Sequence, residues 1–149
     1  MPIDRSKVWT GDVNARALEP QPKLTVGLYD TTLRDGEQTV GVVLSPEDKL
    51  AIATALSEAG VDRIEAGFPR VSEDDWRSIE LIVEAGLEAE IWGFSRAVPA
   101  DVEALIELGL KASVIESPIS DAKLEALGVS RQTMIDRIRD LRPNGTSER

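Results

Sequence analysis

Tyr29 to Gln38 reads Y-D-T-T-L-R-D-G-E-Q and follows an apolar run, Leu24 to Leu28, with the composition of a strand. Asp30, Arg34, Asp35, Glu37 and Gln38 crowd around Gly36 within it. In an α/β protein, the residues that leave the C-terminal end of a strand are where binding and catalytic groups collect. A polar loop whose charges are merely solvated has the same composition. The order of the residues, more than their content, separates the two readings.

Outward from this stretch the chain alternates. The loop runs through Val43, and Ser45 then has the character of an N-cap, with Pro46 at the first helical position and Glu47 and Asp48 suited to the positive end of the helix dipole. Leu50, Ile52, Ala53, Leu56 and Ala59 form an apolar stripe, and Gly60 stops the helix. A second strand is expected over Asp62–Ala66, with a helix from Ser72 to Ala85 that turns Trp76, Ile79, Ile82 and Val83 inward and stops at Gly86. A third strand over Glu88–Phe94 precedes a helix opened by Pro99, with Val102, Leu105, Ile106 and Leu108 inward and Gly109 as its stop. A fourth strand over Lys111–Ile115 leads to a helical region from Asp121 to Leu141, broken by Gly128 and the cap Ser130. Residues 1–23 carry Pro2, Pro20 and Pro22 without a sustained apolar period and read as an extension, and Pro143–Arg149 reads as a disordered tail.

Repeated βα units predict a parallel sheet with crossover helices. An open four-stranded sheet and half of a (β/α)8 barrel, which takes about 250 residues when whole, both fit the periodicity. The 149 residues suffice for a core, and 42% hydrophobic with 30% charged residues is ordinary for a globular domain. A net charge of −10 repels phosphate backbones and argues against a nucleic-acid partner. No apolar run approaches membrane-spanning length, no signal peptide opens the chain, and there is no cysteine, so the expected location is cytoplasmic, with no membrane partner. The chain also has no histidine, the commonest metal ligand and neutral-pH base, which leaves carboxylates and arginines to carry any chemistry.

Asp30 to Val42, D-T-T-L-R-D-G-E-Q-T-V-G-V, resembles the signature of the metal-dependent acyl-CoA lyase and synthase (DRE-TIM metallolyase) superfamily, and its T-x-G-V continuation is closer to the homocitrate synthase branch than to the lyases. I-E-A-G-F-P at Ile64–Pro69 and G-F-S-R-A at Gly93–Ala97 resemble the second and third strands of that superfamily, and Glu116–Ile138 its fourth βα unit. The resemblance implies the N-terminal half of a TIM barrel over residues 24–142, completed by a second chain. It implies a Claisen-type condensation of acetyl-CoA with a 2-oxo acid, as in homocitrate and 2-isopropylmalate synthases, on a divalent metal (Mg2+, Mn2+ or Zn2+) shared with the partner. By matching position, Asp35 is the metal ligand and Arg34 neutralises the developing enolate or alkoxide. Glu65 orients Arg34, Gln38 lies near the 2-oxo acid, and Arg96 is a candidate for the acid's distal carboxylate. A hard carboxylate suits these cations and a permanent guanidinium suits an oxyanion. Glu65 fits an ordinary ion pair equally well, and for Arg96 an ordinary surface ion pair is the favoured reading.

The superfamily's metal site also needs an H-x-H pair from a late barrel strand, which this chain lacks. The expectation is therefore a split enzyme: a partner half-barrel carries H-x-H, alone or within a larger heteromer, and the division falls at the barrel midpoint, where it breaks the fewest contacts. A truncated product, a regulatory half-barrel that binds a full-length synthase, and a lyase or aldolase of the same superfamily are the alternatives.

Overall fold

The structure, a computed structural model, describes residues 26–141. The expected extension over 1–23, the start of the first strand at Leu24 and the tail over Pro143–Arg149 lie outside the described residues. Within them the units follow one another as β1 (Tyr29–Asp30), a 3-10 turn (Gly36–Gln38), α1 (Pro46–Glu58), β2 (Arg63–Glu65), α2 (Glu73–Glu84), β3 (Glu90–Arg96), α3 (Pro99–Glu107) and β4 (Ala112–Glu116). Two short helices close the series, α4 (Asp121–Ala126) and α5 (Arg131–Asp140).

The strands form one parallel sheet in the order β1-β2-β3-β4. A doubly wound sheet reverses direction at a switch point, and this one does not. Right-handed crossovers between sequential neighbours place the connecting helices on one side of the sheet, as in a barrel wall. Alternation along the strands then sorts the side chains. Ile64 points to the helices and is fully buried with Leu33, Ile79 and Ile82. Glu65, Trp92 and Phe94 belong to the other face, where Tyr29 meets Trp92 edge-to-face at 5.5 Å and Arg63 pairs with Glu90 at 3.0 Å. Gly93 faces α3 so closely that a Cβ would run into Leu105 Cδ2, so glycine lets the helix lie close to the strand there.

Helix starts are set locally. Ser45 and Asp48 make a full capping box, and Ser72, Ser120 and Ser130 cap the later helices. The break between α4 and α5 falls where Gly128 and Ser130 predict it.

Four expectations are corrected. The first strand does not run from Leu24 to Tyr29: among the described residues it holds only Tyr29–Asp30, because β2 begins at Arg63 and offers no ladder before it. Leu28 N–H instead donates to the Asp62 side chain at 2.6 Å. β3 lies two residues beyond the expected Glu88–Phe94, since Ala89 N–H is taken by Ser57 Oγ and pairing with β4 extends to Arg96–Glu116. That pairing likewise moves β4 one residue on from Lys111–Ile115. Ile106 is 52% exposed, because the buried stripe of α3 is Asp101, Ala104, Leu105 and Leu108, and Ile106 lies a hundred-degree step past it.

Candidate active site

The stretch after β1 folds into a tight knot. Asp30 accepts hydrogen bonds from the Thr32 backbone at 2.9 Å and hydroxyl at 3.1 Å, and Thr31 C=O accepts from the N–H groups of Arg34, Asp35 and Gly36 at 3.1, 2.8 and 3.2 Å. Such an Asx turn reverses the chain at the strand end. Leu33, fully buried, pins the knot to the core. Arg34 then reaches back over the sheet.

Its guanidinium is fixed on three sides. Nε donates to Glu65 Oε1 at 2.5 Å, Nη1 donates to Asp35 Oδ1 at 3.2 Å, and Cζ lies 4.3 Å from the centre of the Phe94 ring. Planar stacking and a fork of donors are what arginine offers and lysine does not. Glu65 is 2% exposed and gives its second oxygen to the Tyr29 hydroxyl at 2.7 Å. Burial of Tyr29, then its bond to the Glu65 carboxylate, pushes the phenol pKa well above its ordinary value. Tyr29 thus stays a proton donor to Glu65.

Beside this group opens a cavity of about 240 Å3, with Arg34, Gln38, Glu37, Phe68 and Phe94 among its walls. Gly67, also in the wall, has φ +140°, a conformation side-chain-bearing residues rarely adopt. The structure therefore brings Arg34, Asp35, Gln38 and Glu65 together at the C-terminal ends of β1 and β2. Arg96 is placed elsewhere. Its Nε and Nη2 donate to the buried Asp101 at 2.7 and 3.1 Å, and its Cζ lies 5.3 Å from the centre of the Phe68 ring. Arg96 lines a separate cavity of about 520 Å3 near the ends of β3 and β4, together with Glu116, Leu127, Met134 and Arg137.

Asp35 is 64% exposed and presents the hard oxygen chemistry that a divalent cation takes. The donor chemistry fits such an ion and the donor number does not: among the described residues no three His, Cys, Asp or Glu side chains gather to hold a metal. Among the described residues, too, no helix is long and apolar enough to cross a membrane.

Several residues of the site escape a reading of the sequence. Tyr29 and Phe94 touch Glu65 and Arg34 only through the sheet. A period-two reading of β3, which puts Trp92, Phe94 and Arg96 on one face, carries the signal for Phe94. Asp101 reads as a routine acid at a helix start, yet it is 1% exposed and also accepts an ion pair from Arg70 at 3.3 Å. Lys49 reads as surface but falls on the stripe of Ala53 and Leu56, and it is buried.

Comparison with known proteins is consistent with this geometry. The family model described as HMGL-like matches residues 25–142. A (R)-citramalate synthase of Methanocaldococcus jannaschii is 48% identical over 97 residues, covering 65% of this chain and 20% of that enzyme. A homocitrate synthase of Methanopyrus kandleri is 43% identical over 114 residues, 76% of this chain and 29% of the enzyme. A 2-isopropylmalate synthase of Caldanaerobacter subterraneus is 41% identical over 112 residues, 74% of this chain and 29% of the enzyme. The chain thus spans less than a third of the length of these relatives. In structure it is similar to the Bacillus subtilis HMG-CoA lyase, a TIM barrel, with a TM-score of 0.64 at 18% identity, over 83% of this chain and 43% of that one. The four βα units are the N-terminal half of such a barrel.

Proposed function

Because the chain belongs to the HMGL-like family over residues 25–142, we propose that it contributes the arginine-and-carboxylate half of an active site that condenses acetyl-CoA with a 2-oxo acid. The observation that carries this reading is the Arg34 guanidinium, locked between Glu65 and Phe94 at the mouth of a cavity, with Asp35 beside it. The citramalate, homocitrate and 2-isopropylmalate synthase names of its relatives support the reaction class.

In such a reaction the methyl carbon of acetyl-CoA loses a proton and attacks the keto carbon. A carbon–carbon bond forms, the keto oxygen takes up the electron pair and then a proton, and water later cleaves the thioester to free CoA thiol. Negative charge builds first on the thioester oxygen and then on the keto oxygen. Arg34 is pre-aimed at that charge: Glu65 holds its Nε edge, while Nη2 has no partner among the described residues. A fixed cation in a partly dry cavity needs no reorganisation as charge develops. Gln38, on the cavity wall, is positioned to bind the 2-oxo acid through its amide. Arg96, with two donors committed to Asp101, would reach a distal carboxylate only with the rest of its guanidinium. A divalent cation, when bound, would polarise the keto group and share the alkoxide charge, and Asp35 is the residue of this chain that would ligate it.

The remaining ligands, with H-x-H among them, we assign to a partner half-barrel. Its support is the sheet itself: the edges of a parallel sheet are normally covered, whereas among the described residues β1 and β4 each pair on a single side. The test is co-purification followed by assay. The chain isolated with its partner should release CoA thiol from acetyl-CoA with at least one member of a panel of 2-oxo acids, and Arg34→Ala should abolish release while the complex still assembles. Thiol release unchanged in Arg34→Ala, or none with any 2-oxo acid, overturns the reading.

A further inference from the structure

Lys49 is the buried cation that the reaction does not use. Its side chain is 3% exposed, and Nζ lies 2.5 Å from Glu37 Oε2 and 2.8 Å from Asp75 Oδ1. Burial works against its charge, but the bonds to Asp75 and Glu37 outweigh that cost, and its pKa ends above the ordinary lysine value. An ammonium survives in such a place only when paired on more than one side.

Three elements meet at this nitrogen. Glu37 sits in the Gly36–Gln38 turn, Lys49 in α1 and Asp75 in the first turn of α2, where its other oxygen accepts from the capping Ser72 hydroxyl at 2.7 Å. The turn has few other holds. Among the described residues its backbone hydrogen bonds are all local, from Gly36 to Thr31, Glu37 to Thr32, Gln38 to Asp35 and Thr39 to Gly36. Leu33 anchors the start of the knot by packing, but Gln38 at its far end has no such anchor. Glu37 and Asp75 both face the cavity that Arg34 and Gln38 line.

We propose that Lys49 is a positioning residue of the candidate active site: through Glu37 it fastens the turn that presents Arg34, Asp35 and Gln38 to the rigid pair α1 and α2. It touches no reacting atom. Asp75 serves the opposite end, tying the ammonium to α2. The inference rests on reading the cavity as the reactive site, and its test separates the two.

The protein with its partner is compared with Glu37→Gln, Lys49→Met, Asp75→Asn and the double variant Glu37→Gln/Lys49→Met. A misplaced turn predicts that Glu37→Gln and Lys49→Met each lower kcat about 100-fold with KM within about threefold, and that the double variant is no slower than the slower single. Amide exchange of residues 36–39 should accelerate in both, while α1 and α2 stay protected in Glu37→Gln. Asp75→Asn should lower Tm yet leave exchange in 36–39 near the parent value, because Lys49 still reaches Glu37. If Lys49→Met does not fold, Glu37→Gln and Asp75→Asn still decide. Unchanged exchange at 36–39 in Glu37→Gln, an unchanged kcat in that variant, or equal acceleration of exchange at 36–39 in Asp75→Asn overturns the assignment. A parent protein that releases no thiol with any 2-oxo acid overturns the condensation reading alone, and the exchange measurement still tests the strut.

Discussion

Arg34 meets Glu65 along its Nε edge at 2.5 Å, which leaves one terminal nitrogen of the guanidinium without a partner among the described residues. The pairing orients the cation without consuming it. Arg34→Lys keeps the charge and loses both the fork and the stacking on Phe94. Removing one pre-aimed donor from an oxyanion site costs about 100- to 1,000-fold, so kcat/KM for thiol release should fall by that factor. Tm should shift little, because an ammonium can still reach Glu65. Steady-state assay beside thermal melting checks both halves.

Glu65→Gln tests the same pair from the buried side. The amide cannot neutralise Arg34, and the Tyr29 hydroxyl loses a charged acceptor. A hydrogen bond to a charged group contributes about 1.5–3 kcal/mol, and the partial exposure of Arg34 places the expected loss toward the lower end. Tyr29→Phe should cost about 1 kcal/mol. Urea unfolding of both variants gives the two numbers, and equal losses would mean that Glu65 is held by Tyr29 alone.

Tyr29 is the only tyrosine in the chain, so its titration can be followed directly. Its pKa is raised, by burial first and by Glu65 second. A raised pKa means the folded state binds the proton more tightly than the unfolded state. The associated stability is complete below the unfolded value, about 10, and is lost as pH climbs from there through the folded value. Tyrosinate absorbance should therefore rise near pH 10 in denaturant and clearly later in the native protein. In Glu65→Gln the native titration should move back toward the denatured one.

Gly93→Ala tests the seat of α3. The new methyl would run into Leu105 Cδ2 and meet Leu110 Cδ1 at 3.0 Å. Both are ends of flexible side chains, so the helix shifts without being expelled. Overpacking of this kind costs about 1–3 kcal/mol, read as a lowered urea midpoint with an unchanged slope.

What the sequence makes legible here is what is local. Ser45 and Asp48 cap their own helix within four residues, and Gly128 with Ser130 breaks the last helical region. Strand and helix order follows from such signals, and the sequential sheet order, which decides between barrel and doubly wound architectures, does not. The quoted stretch exposes Arg34 and Asp35 as chemistry-bearing residues. Their surroundings are hidden because they arrive from far along the chain: Glu65 is 31 residues from Arg34, and Asp75 is 26 from Lys49. Arg96 shows the limit most clearly. An arginine at a strand end suits a substrate carboxylate and a buried aspartate equally, and only the fold brings Asp101 under it. The short first strand is invisible for a related reason, since its length is set by where its neighbour begins.

Arg34 leaves the loop after β1, bonds to a residue of β2 and stacks on a residue of β3. A side chain gripped by three successive staves acts as a gauge of how tightly they are bent. Flattening the sheet draws Glu65 away from Phe94 and loosens the guanidinium, and arching it presses them together. A change in the curvature of the sheet therefore shifts the aim of this arginine from a distance, with no contact to the guanidinium itself.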